Sequence, residues 1–201
     1  EKTNLTLIGI SGLALAIHFA FWISSLSYTS VASSMILVTT NPIFVAFLGH
    51  YLAIERITKQ TLVGVTISLI GAAIIASRDF ELSHTQFTGD LLALVGAMAV
   101  AVYYLTARVL RGRVPLLAYL GPVYSVAAAV LLLVTLATGH TFVGYSGSTY
   151  LWITLIALVP QVIGHTALNW SLGYLSATMV SLSIVAEPII ASALAVPILG
   201  E

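Results

Sequence analysis

The 201-residue chain contains no cysteine, which removes disulfides and thiolate metal sites from consideration. Charge is nearly as scarce: seven residues are Lys or Arg and seven are Asp or Glu, 7% in all, against about 25% in soluble domains. Residues 3–54 and 114–186 carry none of the four. The formal net charge of zero gives no broad attraction to nucleic acid. No glycine loop followed by Lys-Ser/Thr is there to cradle a nucleotide phosphate. The histidines, His18, His50, His84, His140 and His165, fall on separate segments, without the spacing of a metal-ligand pair. No pair of side chains suggests an enzyme, and no cofactor is implied.

Apolar residues fill the space, at 59% of the chain and a mean hydropathy of +1.07. A helix needs about 20 apolar residues to cross a hydrocarbon core of roughly 30 Å. Gly, Pro, Ser and charge clusters divide the chain into seven such segments, predicted at 5–26, 31–53, 60–77, 89–109, 115–138, 149–172 and 177–200. Barrel strands would alternate lipid-facing and polar residues, whereas Val126–Leu136 is apolar at every position but Thr135. The predicted class is an all-α integral membrane protein. Lys2, Arg56, Lys59, Arg108, Arg111 and Arg113 then fall on one side and only Arg78 on the other. The positive-inside rule makes the first side, with the residue-1 end, cytoplasmic. The arginine trio reads as an orientation anchor in preference to a lipid-phosphate site.

The chain also repeats itself. Tyr28, Ser30, Pro42 and Glu55 recur 146 residues later as Tyr174, Ser176, Pro188 and Glu201, and Ile17, Leu26, Ile43 and Leu48 match Ile163, Leu172, Ile189 and Leu194. With Ser25 and Ser171, nine of 39 aligned pairs are identical, where composition alone predicts roughly three. Completing two units of five helices places two helices before Glu1 and one after Glu201, ten in all. Residues 1–82 become the last three helices of the first unit and residues 83–201 the first four of the second. An odd number of helices per unit makes the second copy enter from the opposite face. The Gly139–Ser148 loop, free of Lys and Arg, agrees with that. Inverted repeats are characteristic of secondary transporters.

Tyr28-Thr-Ser-Val-Ala-Ser-Ser, Asn41-Pro-Ile-Phe-Val-Ala-Phe-Leu-Gly-His-Tyr-Leu-Ala-Ile-Glu-Arg, Gly164-His-Thr-Ala-Leu-Asn-Trp-Ser-Leu-Gly-Tyr-Leu-Ser-Ala-Thr, Glu187-Pro-Ile-Ile and Leu199-Gly-Glu resemble helices three and four of each repeat in the EamA family of the drug/metabolite transporter superfamily. The resemblance runs along the whole chain. It implies ten helices, inverted repeats, a central cavity and a permease of the plasma (inner) membrane. Its substrate would be an amino acid, another metabolite or a drug, carried by alternating access. Coupling to protons and a homodimer stay open.

Glu187 is the one ionisable acid or base placed deep in a membrane helix, where burial costs several kcal/mol unless the charge is paired, hydrated or neutralised. It reads as a substrate-amine or proton site, or as a hydrogen-bonding group within the bundle. Its repeat equivalent is Asn41, also followed by proline. Pro42 and Pro188 are expected to break their helices and leave the Val38 and Ile184 carbonyls without their usual donors. Gln161, His165 and Asn169 at steps of four share a helix face. They read as a cavity wall or as interhelical hydrogen bonds worth about 0.6 kcal/mol each. His18 and Trp22 form a similar pair, with His18 more readily a satisfied core residue. Tyr103 and Tyr104, with Tyr119 and Tyr124, read as aromatic walls, cation–π contacts or interfacial residues, and Trp152 as interfacial. Gly64, Ser68 and Ala72, and Ala93, Ala97 and Ala101, read as close packing. The rival functions are a non-transporting scaffold or receptor, and a channel.

Overall fold

The computed structural model of the protein describes residues 2–76, 84–187 and 190. Its helices are α1 (Lys2–Ser25), α2 (Val31–Val38), α3 (Asn41–Tyr51), α4 (Lys59–Ala76), α5 (His84–Arg111), α6 (Leu116–Ala137), α7 (Gly147–Ile156), a π-helical stretch (Ala157–His165), α8 (Thr166–Ser171) and α9 (Ala177–Ile184). No strand occurs among the described residues. Five segments are long and apolar enough to cross a membrane: Lys2–Ser25, Val31–Tyr51, His84–Arg111, Leu116–Ala137 and Gly147–Ser171. The chain is a multi-pass membrane protein. The segment predicted at 60–77 is helical as α4. Of the one predicted at 177–200, α9 is described, while residues 188, 189 and 191–200 lie outside the described residues.

Two predicted helices are irregular. The segment at 31–53 is broken between α2 and α3, just before Pro42. A break inside a bilayer must satisfy its own carbonyls, because no water is there to do it. Three consecutive side chains do so here. Thr39 Oγ1 donates to the Ile36 carbonyl at 2.9 Å, Thr40 Oγ1 to Leu37 at 2.6 Å and Asn41 Nδ2 to Val38 at 3.1 Å. The Val38 carbonyl, deprived of a backbone donor by Pro42, therefore has a partner after all. The segment at 149–172 is one helix in outline, but its centre, with Pro160 inside, is π-helical. A proline ring cannot sit against the carbonyl four residues earlier, and the wider i to i+5 bonding of a π stretch relieves that conflict.

Local geometry repeats where the sequence does. α2 and α9 have bounds 146 residues apart. Each starts from a serine cap, Ser30 accepting from Ser33 N–H at 3.0 Å and Ser176 from Met179 N–H at 3.1 Å. The turns before them also match, with Tyr28 N–H to Ser25 and Tyr174 N–H to Ser171, both at 2.9 Å.

α5 is the hub, packed against α1, α2, α3, α8 and α9. Its small residues allow this. Ala93, Ala97 and Ala101 are fully buried, so close packing accounts for that stripe. Gly89 and Gly96 extend it, since a Cβ at Gly89 would lie 2.7 Å from the Thr29 backbone nitrogen and one at Gly96 3.3 Å from that of Trp22. α1 meets α6 the same way at Gly12, and there Ser11 Oγ and Tyr119 OH hydrogen-bond at 2.6 Å. Tyr119 thus serves packing. The side chains of Ser68 and Ala72 lie outside the described residues. Leu133, Ile153 and Ile163 are exposed on α6, α7 and the π stretch, an exterior suited to hydrocarbon.

Candidate functional site

Three elements bring their polar and aromatic side chains together: α1 with His18, Phe19 and Trp22; α5 with Tyr103 and Tyr104; and the π stretch running into α8 with Gln161, His165 and Asn169. His18 Nδ1 lies 2.9 Å from the Gly96 carbonyl. A carbonyl can only accept, so Nδ1 carries the proton and, in the neutral ring, Nε2 is an acceptor. His18 stacks on Trp22, with ring centroids 5.4 Å apart and planes at 22°, and touches Phe19 at 5.0 Å. Phe19 meets His165 at 5.5 Å, His165 meets Tyr103 at 6.1 Å, and Tyr103 meets Tyr104 at 5.5 Å. Asn169 is fully buried, and its Nδ2 donates to Tyr103 OH at 2.5 Å and to the His165 carbonyl at 2.6 Å.

The cluster is not closed on itself. Trp22 Nε1, Gln161 Oε1, His165 Nδ1 and Asn169 Oδ1 are buried without a hydrogen-bond partner. Buried polar atoms are nearly always satisfied, and an orphan costs about 1–3 kcal/mol. Four such atoms around one aromatic group, with both donors and acceptors among them, make a surface ready for a polar ligand or for water. A π stretch in the wall fits this, since such stretches recur at functional sites.

Of the predicted site residues, the structure brings together His18, Trp22, Tyr103, His165 and Asn169, and it buries the Gln161 acceptor on the same π stretch. Gln161 and His165 lie on the π stretch and Asn169 on α8. Asn41 is buried, but its amide nitrogen is committed to the Val38 carbonyl while Oδ1 has no partner. Glu187 follows the Val185–Ala186 turn after α9 and is exposed, and Pro188 lies outside the described residues. Phe19 was missed, because a lone phenylalanine in an apolar helix carries no sequence signal. Arg108 and Arg111, read from the sequence as an orientation anchor, have directed partners. Arg108 Nη1 donates to the Leu172 carbonyl at 2.9 Å, and Arg111 Nε to Asn169 at 3.3 Å and Nη1 to Val114 at 2.7 Å. Among the described residues no group of three or more His, Asp or Glu side chains could hold a metal.

Known proteins point the same way. The chain is 25% identical over 98% of its length to an uncharacterized transporter of Clostridium kluyveri, of which it spans 64%. It is 34% identical over 51% of its length to an uncharacterized transporter of Archaeoglobus fulgidus, of which that match spans 35%. A solved crystal structure superposes with a TM-score of 0.74 at 22% identity, covering 96% of this chain and 68% of that one, which shows a shared fold. The model of the EamA-like transporter family matches residues 1–77 and 87–201, so the chain belongs to that family.

Proposed function

We propose that the protein is a secondary transporter in which two inverted five-helix units, ten helices in all, alternately expose a central site to the two faces of a plasma membrane. One observation carries this reading: Phe19 and His165 are the same position in the two copies of the repeat, 146 residues apart, and their rings are in contact at 5.5 Å. A residue that touches its own counterpart lies beside the axis relating the copies. In inverted-repeat transporters, that axis at mid-membrane is where the solute binds. The unpartnered atoms of Trp22, His165 and Asn169 belong to the side chains gathered at this contact, and the break before Pro42 supplies the kind of discontinuous helix that such sites use.

The site's chemistry limits its solute. Among the described residues its walls are aromatic or uncharged polar side chains and two histidines, with Glu187 within electrostatic reach of Tyr104. Aromatic faces attract organic cations and stack on flat apolar rings. The site therefore suits a neutral or cationic organic solute with an apolar face and hydrogen-bonding groups, and disfavours phosphates and multiply charged anions. The end of the bundle bearing Arg56, Lys59, Arg108, Arg111 and Arg113 is the cytoplasmic one.

The test is a single cysteine in place of Gln161, in the intact protein reconstituted into vesicles and labelled by a membrane-impermeant thiol reagent from each face. Labelling from both faces, with an aromatic amine protecting and a size-matched aromatic carboxylate failing to protect, is the expected result. Protection from the reagent on both faces would mean a sealed packing cluster and favour the scaffold. Simultaneous solvent access from both faces, with flux that does not saturate, would favour a channel.

A further inference from the structure

Beyond the central cluster, α3 ends in a turn that aims a carboxylate at another helix. Ala53 N–H bonds to the His50 carbonyl at 3.0 Å and Ile54 N–H to Gly49 at 2.8 Å, the two bonds of a Schellman motif. Ala53 takes φ 55° there, a left-handed conformation that glycine usually supplies. Glu55 N–H also reaches the Gly49 carbonyl, at 3.0 Å. A Cβ on Gly49 would lie 3.0 Å from Leu105 Cδ2, so the glycine lets α3 approach α5 closely, with Glu55 Cβ 3.6 Å from the same point, at ordinary contact distance. The carboxylate accepts from Ala177 N–H through Oε1. Through Oε2 it accepts from Thr178 N–H at 3.1 Å and Thr178 Oγ1 at 2.7 Å.

Ala177 and Thr178 open α9, whose first amides have no partner inside the helix and carry the positive end of its dipole. Ser176 caps Met179 N–H, so serine and Glu55 divide the free amides between them. On the other side of the same turn, Arg108 and Arg111 take the Leu172 and Asn169 carbonyls at the end of α8. The turn between α8 and α9 is thus held by cations at its carbonyl end and an anion at its amide end, each of the sign the dipole favours. The residues belong to separate copies of the repeat, since Glu55 closes the first and Ala177 lies in the second.

We propose that Glu55 is a latch that closes the basic end of the transport path in the state seen here and releases α9 when the two units rock apart. This rests on the alternating-access reading above.

The experiment uses the Gln161→Cys reporter in the intact protein in vesicles, with labelling rates measured separately from each face. Glu55→Gln is expected to raise the rate from the basic face about tenfold, as losing charge-assisted hydrogen bonds should, and to lower the rate from the opposite face. Thr178→Val, which removes one donor and leaves the helix intact, should shift the ratio the same way as Glu55→Gln but less. A parent that alternates while Glu55→Gln and Thr178→Val leave its ratio unchanged would overturn the latch and spare the carrier. A parent that never alternates would overturn both.

Discussion

At the scale of single residues, some polar groups inside this bundle replace missing backbone donors, some pair with other side chains and some stand unpartnered, and substitution separates them. Asn41 belongs first to the donor class. Asn41→Leu should cost about 1–3 kcal/mol, because the Val38 carbonyl loses its partner in hydrocarbon. In a Pro42→Ala background, where residue 42 regains an N–H, the same substitution should cost less. Thermal unfolding in detergent would measure both, and equal costs would show that the Asn41 amide does not stand in for the proline's missing donor. Asn169 does two jobs, holding Tyr103 and the His165 carbonyl. Asn169→Leu should leave the buried Tyr103 hydroxyl without that donor and lower Tm, with Tyr103→Phe recovering part of the loss. The asparagine was legible as a polar residue on a membrane helix. Its service to Tyr103, 66 residues away, was not.

At the scale of elements, helix contacts here depend on what the small residues leave out. In a bilayer, association rests on packing, because lipid is as apolar as the side chains. A Cβ on Gly12 would lie 2.6 Å from Val126 Cβ and 2.8 Å from the Val123 carbonyl oxygen, whereas at Gly9 and Gly121 nothing lies within 4 Å. Gly12→Ala should therefore destabilise by about 1–3 kcal/mol through overpacking, while Gly9→Ala and Gly121→Ala should be neutral or slightly stabilising through helix propensity. Melting curves of the three variants check this, and equal shifts would refute it. Arg111 holds the end of α8 and the Val114 carbonyl with two nitrogens of one guanidinium. Arg111→Lys keeps the charge but not the fork, so it should lower Tm almost as much as Arg111→Met. Full recovery by lysine would mean that charge near the helix end, and not directed bonding, is what counts.

At the scale of the whole molecule, α5 ties the two ends of the bundle together. Near its start, Asp90 accepts from Thr29 Oγ1 at 2.8 Å and Gly89 admits the turn between α1 and α2. At its end, Arg108 and Arg111 hold the turn between α8 and α9. These are the two sequence-equivalent turns, and about 20 residues of helix, or roughly 30 Å, separate their anchors. Equivalent turns at opposite ends of one membrane-spanning helix are what an inverted duplication requires. Thiol labelling should therefore reach a cysteine at His140 from one face only and a cysteine at Lys59 from the other face only. Labelling of both from one face would refute the inverted arrangement.

The sequence by itself determined the solvent, the helical class, the repeat and its period, because a bilayer admits so few charges and backbone arrangements that composition and spacing decide these matters locally. Where polar side chains interrupt that pattern was legible too, and Trp22, Tyr103, His165 and Asn169, gathered at the centre with His18, all stand out in the sequence as polar or amphipathic groups on membrane helices. Which of them meet was decided only by tertiary structure. Phe19 finds His165, Asn169 finds Tyr103 and Glu55 finds α9 across separations that no local pattern encodes. Whether a buried polar atom is satisfied or left open depends on what the other helices bring to it.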